Sequence, residues 1–154
     1  MNLLKNSIGQ AQAEALCAAQ SSHQNLKTLC GLDPNAKEID LAGQGLGSDG
    51  AILVASEIKV NRALTSIKIN DYALPVDDIK TKPVLDLSNT KLGVEDAIIV
   101  AALLPLNEAL TKIVWGEGTK IFTMDTSTEA IDFSGNGLAA HDAQIVAWML
   151  PKCT

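Results

Sequence analysis

Apolar residues follow two different spacings along this chain. In seven places an apolar residue is followed two positions later by another, which is the alternation of a β-strand with one buried face. These pairs begin at Met1, Leu29, Ile39, Ile67, Leu85, Ile113 and Ile131. Between some of them, apolar residues recur every three or four positions, which predicts helices over residues 10–22, 48–61, 94–105 and 141–150. The pattern therefore predicts an α/β protein.

The same pattern repeats at a fixed interval. Ile39-Asp40-Leu41 recurs as Leu85-Asp86-Leu87 and again as Ile131-Asp132-Phe133, with an offset of 46 residues each time. The N-terminal segment joins the series at an offset of 38 residues. Helix-containing gaps span 28 residues, and the other gaps span 10 or 18. Segments 70–83 and 116–129 are interpreted as loops or a short turn of helix, and irregular geometry is expected in the ten-residue gap.

Several segments resemble the leucine-rich repeat family. They are Leu64-x-x-Ile67-x-Ile69-x-x-Tyr72-x-Leu74 and Thr128-x-x-Ile131-x-Phe133-x-x-Asn136-x-Leu138, and Met1-x-Leu3-x-x-Asn6-x-Ile8 matches the second half. The long gaps resemble the ribonuclease-inhibitor-like subfamily. The resemblance implies one domain over residues 1–154: an α/β solenoid with a parallel sheet on the concave side, helices on the convex side, and long (28) repeats alternating with short (10–18) ones. The family's signature asparagine is present only as Asn6 and Asn136.

In such a sheet, alternate side chains point to opposite faces. The buried set is predicted to be Ile39, Leu41, Ile67, Ile69, Leu85, Leu87, Ile113 and Ile131. If the strands pair in chain order, Asp40, Lys68 and Asp86 form one outward row. This row either neutralises itself or contacts a partner, and the predicted partner-binding residues are Asp40, Lys68, Asp86, Ser88, Lys112 and Val114.

Composition narrows the functional classes. The net charge of −6 argues against nucleic acid as the main partner, because phosphate binding needs a basic face. The longest apolar run, residues 97–106, is about half of the roughly 20 residues that a membrane-spanning helix needs. Three cysteines cannot all pair within one chain, and no targeting signal is visible. A cytoplasmic or other reducing compartment is therefore expected.

Candidate chemistry is sparse in this sequence. Gly43-x-Gly45-x-Gly47-x-x-Gly50 has the strand–helix context of a nucleotide-binding loop, but the equivalent segments form the same turn with different glycines, which favours turn geometry. Cys17 is expected to be buried, whereas Cys30 and Cys153 are expected to be accessible. His23 and His141 occupy unrelated repeat positions, so no metal or cofactor is predicted.

Three functional hypotheses follow from these observations. The favoured one is a non-catalytic protein-interaction module that binds a protein partner through the concave sheet face. The alternative is a structural subunit buried in a larger complex, and the third is an enzyme with a cysteine nucleophile. Because the repeats begin and end without polar caps, we also expect the ends to be covered by neighbouring chains or further repeats.

Overall fold

The computed structural model describes residues 2–23, 25–130, 132–135 and 137–153, with only the backbone at residue 141. Five helices and six strands are assigned in this part of the chain. In order they are α1 (Gln10–Ser22), β1 (Glu38–Asp40), α2 (Gly47–Ile58), β2 (Ser66–Lys68), β3 (Ala73–Pro75), α3 (Val76–Thr81), β4 (Val84–Ser88), α4 (Val94–Leu103), β5 (Lys112–Glu117), β6 (Lys120–Asp125) and α5 (Ala140–Met149). Short 3₁₀ turns follow α4 and α5 at Leu104–Leu106 and Leu150–Lys152.

The four long helices lie where the apolar periodicity predicts them. α1 has the predicted bounds, and α2, α4 and α5 begin and end within a few residues of the predicted ones. The buried residues of α2 include Ala51, Val54, Ala55 and Ile58, at the three- and four-residue steps of one helix face. Consecutive helices pack on each other, α1 on α2, α2 on α4 and α4 on α5, so the 46-residue repeat is also a structural repeat.

The strands form two separate three-stranded sheets, ordered β1-β2-β3 and β4-β5-β6. The first two strands of each sheet are parallel, with Ile39 opposite Ile67 and Leu85 opposite Ile113. The third strand of each sheet is antiparallel to the second. Each sheet is therefore a β-α-β unit to which a returning strand has been added.

This topology contradicts the predicted leucine-rich repeat solenoid with one parallel sheet in chain order. The reason lies in segments 70–83 and 116–129, which were interpreted as loops or a short turn of helix. They contain β3 and β6, which fold back onto the edges of β2 and β5, where the next parallel strand would have paired. The expected strands at Leu3 and Leu29 are also absent from the described residues, although one backbone hydrogen bond of 2.7 Å joins Leu3 N–H to Leu29 C=O.

The predicted inward face is correct for every described member. Ile39, Leu41, Ile67, Ile69, Leu85, Leu87 and Ile113 are all buried. Met1, Ile131 and Asn136, on which other predictions depend, lie outside the described residues, as does the side chain of His141. Trp115 is also buried, and it stacks on Phe122 at 5.4 Å between ring centroids.

Among the helices of the described residues, none combines the length and the apolar character needed to cross a bilayer.

Candidate functional site

The outward face of β4–β6 holds four of the six predicted partner-binding residues. Its side chains form three rows across the strands, defined by the register of the sheet. The rows are Val84–Lys112–Asp125, Asp86–Val114–Thr123 and Ser88–Gly116–Ile121. Val84 and Ile121 remain 50% and 41% exposed, so apolar groups lie at opposite corners of this face. We call these nine residues the outer face of the second sheet.

Charge on this face is partly balanced. Hydrogen bonds from Ser88 hold the pKa of Asp86 below its usual value, and the positive charge of Lys112 adds to the effect. Ser127 lowers the pKa of Asp125 in the same way, again with a contribution from Lys112. Lys112 therefore lies close to two carboxylates that remain ionised at neutral pH, which favours the self-neutralising interpretation for this sheet.

The predicted row of Asp40, Lys68 and Asp86 is wrong. Asp40 and Lys68 are neighbours across β1 and β2, as expected. Lys68 pairs on its other side with Ala73 of β3, and Asp86 lies in the second sheet opposite Val114. The returning strand β3 thus separates the first two members of the row from the third, and the candidate residues form two patches.

Cys30, one of the two cysteines that were expected to be accessible, is not suited to act as a nucleophile. Cys30 is 2% exposed, and burial together with the nearby Glu57 carboxylate raises the pKa of its thiol strongly. A buried thiol with a raised pKa is a poor nucleophile, because the thiolate is the reactive form. Cys17 and Cys153 are half-buried, so the prediction of a buried Cys17 is met only in part.

Glu57 has a structural role that the sequence pattern did not indicate. Its carboxylate accepts hydrogen bonds from the Thr28 hydroxyl and from the backbone N–H groups of Leu29 and Cys30. A carboxylate that accepts several backbone hydrogen bonds fixes the conformation of that segment. This network holds residues 28–30 against α2, where a strand had been predicted.

Two buried asparagines, 46 residues apart, were also missed. Asn107 donates to the carbonyls of Ile79 and Lys82, both at 2.9 Å, and accepts from the Ala109 N–H at 2.9 Å. Asn61 donates to the carbonyl of Ala36 at 3.0 Å and accepts from the N–H groups of Ala63 and Leu64. Each asparagine joins the end of one helix to the preceding connection.

Two buried carboxylates recur in the same manner at the helix starts. Asp96 accepts from the Gly93 N–H at 3.0 Å and from the Asn70 amide at 2.6 Å. Asp142 accepts from the Ala139 N–H at 2.7 Å and from the Trp115 indole at 3.0 Å. A carboxylate at the third helical position satisfies an orphan amide of the first turn, so both residues serve as helix caps.

The glycine-rich segment before α2 forms a repeated turn, as predicted. Gly43 and Gly45 have positive φ, and so do Asn89 and Lys91 at the equivalent positions before α4. The conformation is therefore kept where the glycines are replaced, which assigns them to backbone geometry. Among the described residues, no group of three His, Cys, Asp or Glu side chains is arranged to hold a metal ion.

Comparison of the chain with family models, with curated proteins and with solved structures finds no match.

Proposed function

We propose that this chain is a non-catalytic protein-binding module that uses the outer face of the second sheet. The observation that carries the proposal is the combination of exposed Val84 and Ile121 with the balanced charges around Lys112 on one regular three-stranded sheet. Apolar groups beside fixed charges suit a protein partner, since the apolar part supplies burial and the charges supply orientation. The patch of Asp40 and Lys68 on the first sheet is a secondary contact in this proposal.

Two further observations support binding over the other classes. The buried thiol of Cys30 removes one of the accessible cysteines on which an enzyme was hypothesised. The net charge of −6 disfavours a polyanionic partner such as nucleic acid. The partner is thus expected to be a protein whose contact surface is mixed in charge.

The test compares three substitutions to glutamate in a pull-down from the native source, followed by affinity measurement with the purified partner. Lys112→Glu and Val84→Glu change the outer face, whereas Lys59→Glu changes the exposed end of α2 by the same charge as Lys112→Glu. Loss of binding in the first two variants, with Lys59→Glu unchanged, supports the proposal. Loss of binding only in Lys59→Glu moves the contact to the helix side.

The second candidate function is a structural subunit inside a larger complex. It is favoured by the exposed apolar side chains Leu138 and Leu150 on either side of α5, at 36% and 50% exposure. Light scattering on the isolated chain distinguishes the two. Association that is removed by Leu150→Asp supports the structural subunit, and a monodisperse folded monomer at tens of micromolar contradicts it.

A further inference from the structure

The short helix α3 fills a specific space between two repeats. Val76 and Ile79 are fully buried, and α3 packs against β2, α4 and the 3₁₀ turn after α4. Its end is fixed by two polar contacts. The Ile79 carbonyl accepts from Asn107 at 2.9 Å, and the Lys80 ammonium donates to the Asn61 carbonyl at 3.1 Å. One helical turn thus closes the gap between β2 and the next repeat.

The preceding connection has no such helix. From Leu29 to Ile39 the chain takes 10 residues, whereas from Ile67 to Leu85 it takes 18, so eight residues are missing. The missing length is close to that of β3 and α3, which together span nine residues. A turn closed by a hydrogen bond of 3.1 Å from the Ala36 N–H to the Asp33 carbonyl takes their place.

A cavity of about 250 Å³ lies where the counterpart of α3 would pack. It is bounded by the ends of α1 and α2 and by the short connection. Its apolar lining comes from Leu26, Leu32, Ile39, Ile58 and Val60. Val60, at the rim, is 78% exposed, whereas Leu106, at the equivalent position beside α3, is 45% exposed. Polar side chains, Lys27, Asp33 and Glu57 among them, also line it, so the cavity is a slot of mixed lining that the chain itself leaves open.

A buried donor faces the same slot. Asn61, which lines the cavity, is 3% exposed. Its side-chain nitrogen donates to the Ala36 carbonyl, which is the equivalent of the bond from Asn107 to Lys82. The equivalent of the bond from Asn107 to the Ile79 carbonyl is missing among the described residues. One N–H of the Asn61 amide is thus left for an acceptor that the next repeat obtains from α3.

We propose that this slot binds a short helix of a partner protein. The helix carries two apolar residues three positions apart and offers a backbone carbonyl to Asn61, as α3 does for Asn107. A second copy of this chain cannot supply its own α3, because Val76 and Ile79 are already fully buried in the fold. The slot lies on the helix side, so this inference goes beyond the proposed function and does not depend on the sheet face.

The probe is a blocked synthetic peptide with the sequence of residues 74–82, and its control has serine in place of the valine and the isoleucine. NMR titration of the ¹⁵N-labelled full chain follows the Asn61 side-chain amide and the backbone of Leu26, Leu32 and Ile58. Because ordering a short free helix costs entropy, saturation is expected only at millimolar peptide. Saturable shifts at these groups, with none from the control peptide, are the expected result.

Matched variants at the rim make the test specific. Val60→Asp places a charge at the mouth of the slot, and Leu106→Asp makes the same change at the equivalent position of the next repeat. Both side chains are substantially exposed, so both variants are expected to fold. Val60→Asp should weaken peptide binding at least tenfold, and Leu106→Asp should leave it unchanged.

Three results would overturn the proposal. They are the absence of saturable shifts at millimolar peptide, equal shifts with the control peptide, and equal binding by Val60→Asp and the unaltered chain. Shifts at the slot on dilution of the protein alone would assign the surface to a second copy. If Lys112→Glu and Val84→Glu lose partner binding but still show the NMR shifts with the peptide, the slot and the sheet face are independent binding surfaces.

Discussion

Replacement of Asn107 by alanine tests the polar connection between repeats. Asn107 is fully buried, and its amide satisfies the carbonyls of Ile79 and Lys82 and the N–H of Ala109. A buried backbone group left without a partner costs about 1–3 kcal/mol. Three such groups near the lower end of that range give a loss of about 3–4 kcal/mol, which is a large share of the roughly 5–15 kcal/mol that stabilises a typical domain.

The assay is equilibrium urea unfolding followed by circular dichroism, with the free energy extrapolated to water. Asn35→Ala is the control, since Asn35 is exposed and its substitution is expected to change stability by less than about 0.5 kcal/mol. If Asn107→Ala loses less than about 1 kcal/mol at an unchanged m-value, the inferred role of the amide is refuted.

An isosteric variant separates the donor from the acceptor. Asn107→Asp keeps an oxygen for the Ala109 N–H but turns a second oxygen toward two carbonyls. Asn61→Asp likewise turns an oxygen toward a carbonyl, but only toward that of Ala36. The variant at residue 107 should therefore lose more stability than the variant at residue 61 in the same urea experiment. The reverse order would contradict the inference that Asn61 has a donor to spare.

Four other outcomes are expected. Leu87→Ala should lose about 2–5 kcal/mol in urea unfolding, because the side chain is fully buried; a loss below about 0.5 kcal/mol would contradict its inward placement. Gly116→Ala should lose at least about 1–3 kcal/mol in the same assay, since a Cβ would overlap the backbone oxygen of Lys120 and φ is +104°. Cys30 should be alkylated more slowly than the other two cysteines in the native chain and at an equal rate in urea, measured by mass spectrometry, because burial raises its pKa. Ser127→Ala should raise the pKa of Asp125 in an NMR titration, because the Ser127 hydroxyl donates to that carboxylate. Since the folded pKa is lowered, the contribution of this pair is present at neutral pH and is lost as the pH falls through that pKa. An unchanged titration would refute the assignment.

Helix periodicity and strand alternation predicted the α/β class, the four long helices and the buried face, because those patterns report which side chains leave water. Strand pairing is different, since it depends on which edges are free. A signal for β6 was present, because Phe122 and Met124 are buried between exposed neighbours Ile121 and Thr123. That alternation was outweighed by the nearby glycines and hydroxyl residues, which favoured a loop.

The repeat interval could have identified two pairs of the buried polar residues, of which one is Asp96 and Asp142. Asn61 and Asn107 lie 46 residues apart, so the repeat interval could have identified them as equivalent. Glu57 has Leu103 at its equivalent position, and nothing in the spacing indicates that it binds the backbone of residues 29 and 30. Cys30 was placed outward because a strand was assumed there, and the hydrogen bonds of Glu57 replace that strand.

The open slot follows from the lengths of the connections together with the packing of the helices. The packing of α1 on α2 fixes the distance between the first two repeats, as the packing of α2 on α4 fixes the next one. A connection eight residues shorter cannot bring α1 and α2 closer, because side chains such as Ala13 and Ala51 are already fully buried. The missing length is therefore left as a cavity, with Val60 at its rim and the Asn61 amide inside it. The irregular geometry that was expected for this connection therefore consists of a missing counterpart to α3. The packing of α1 on α2 beneath it is retained.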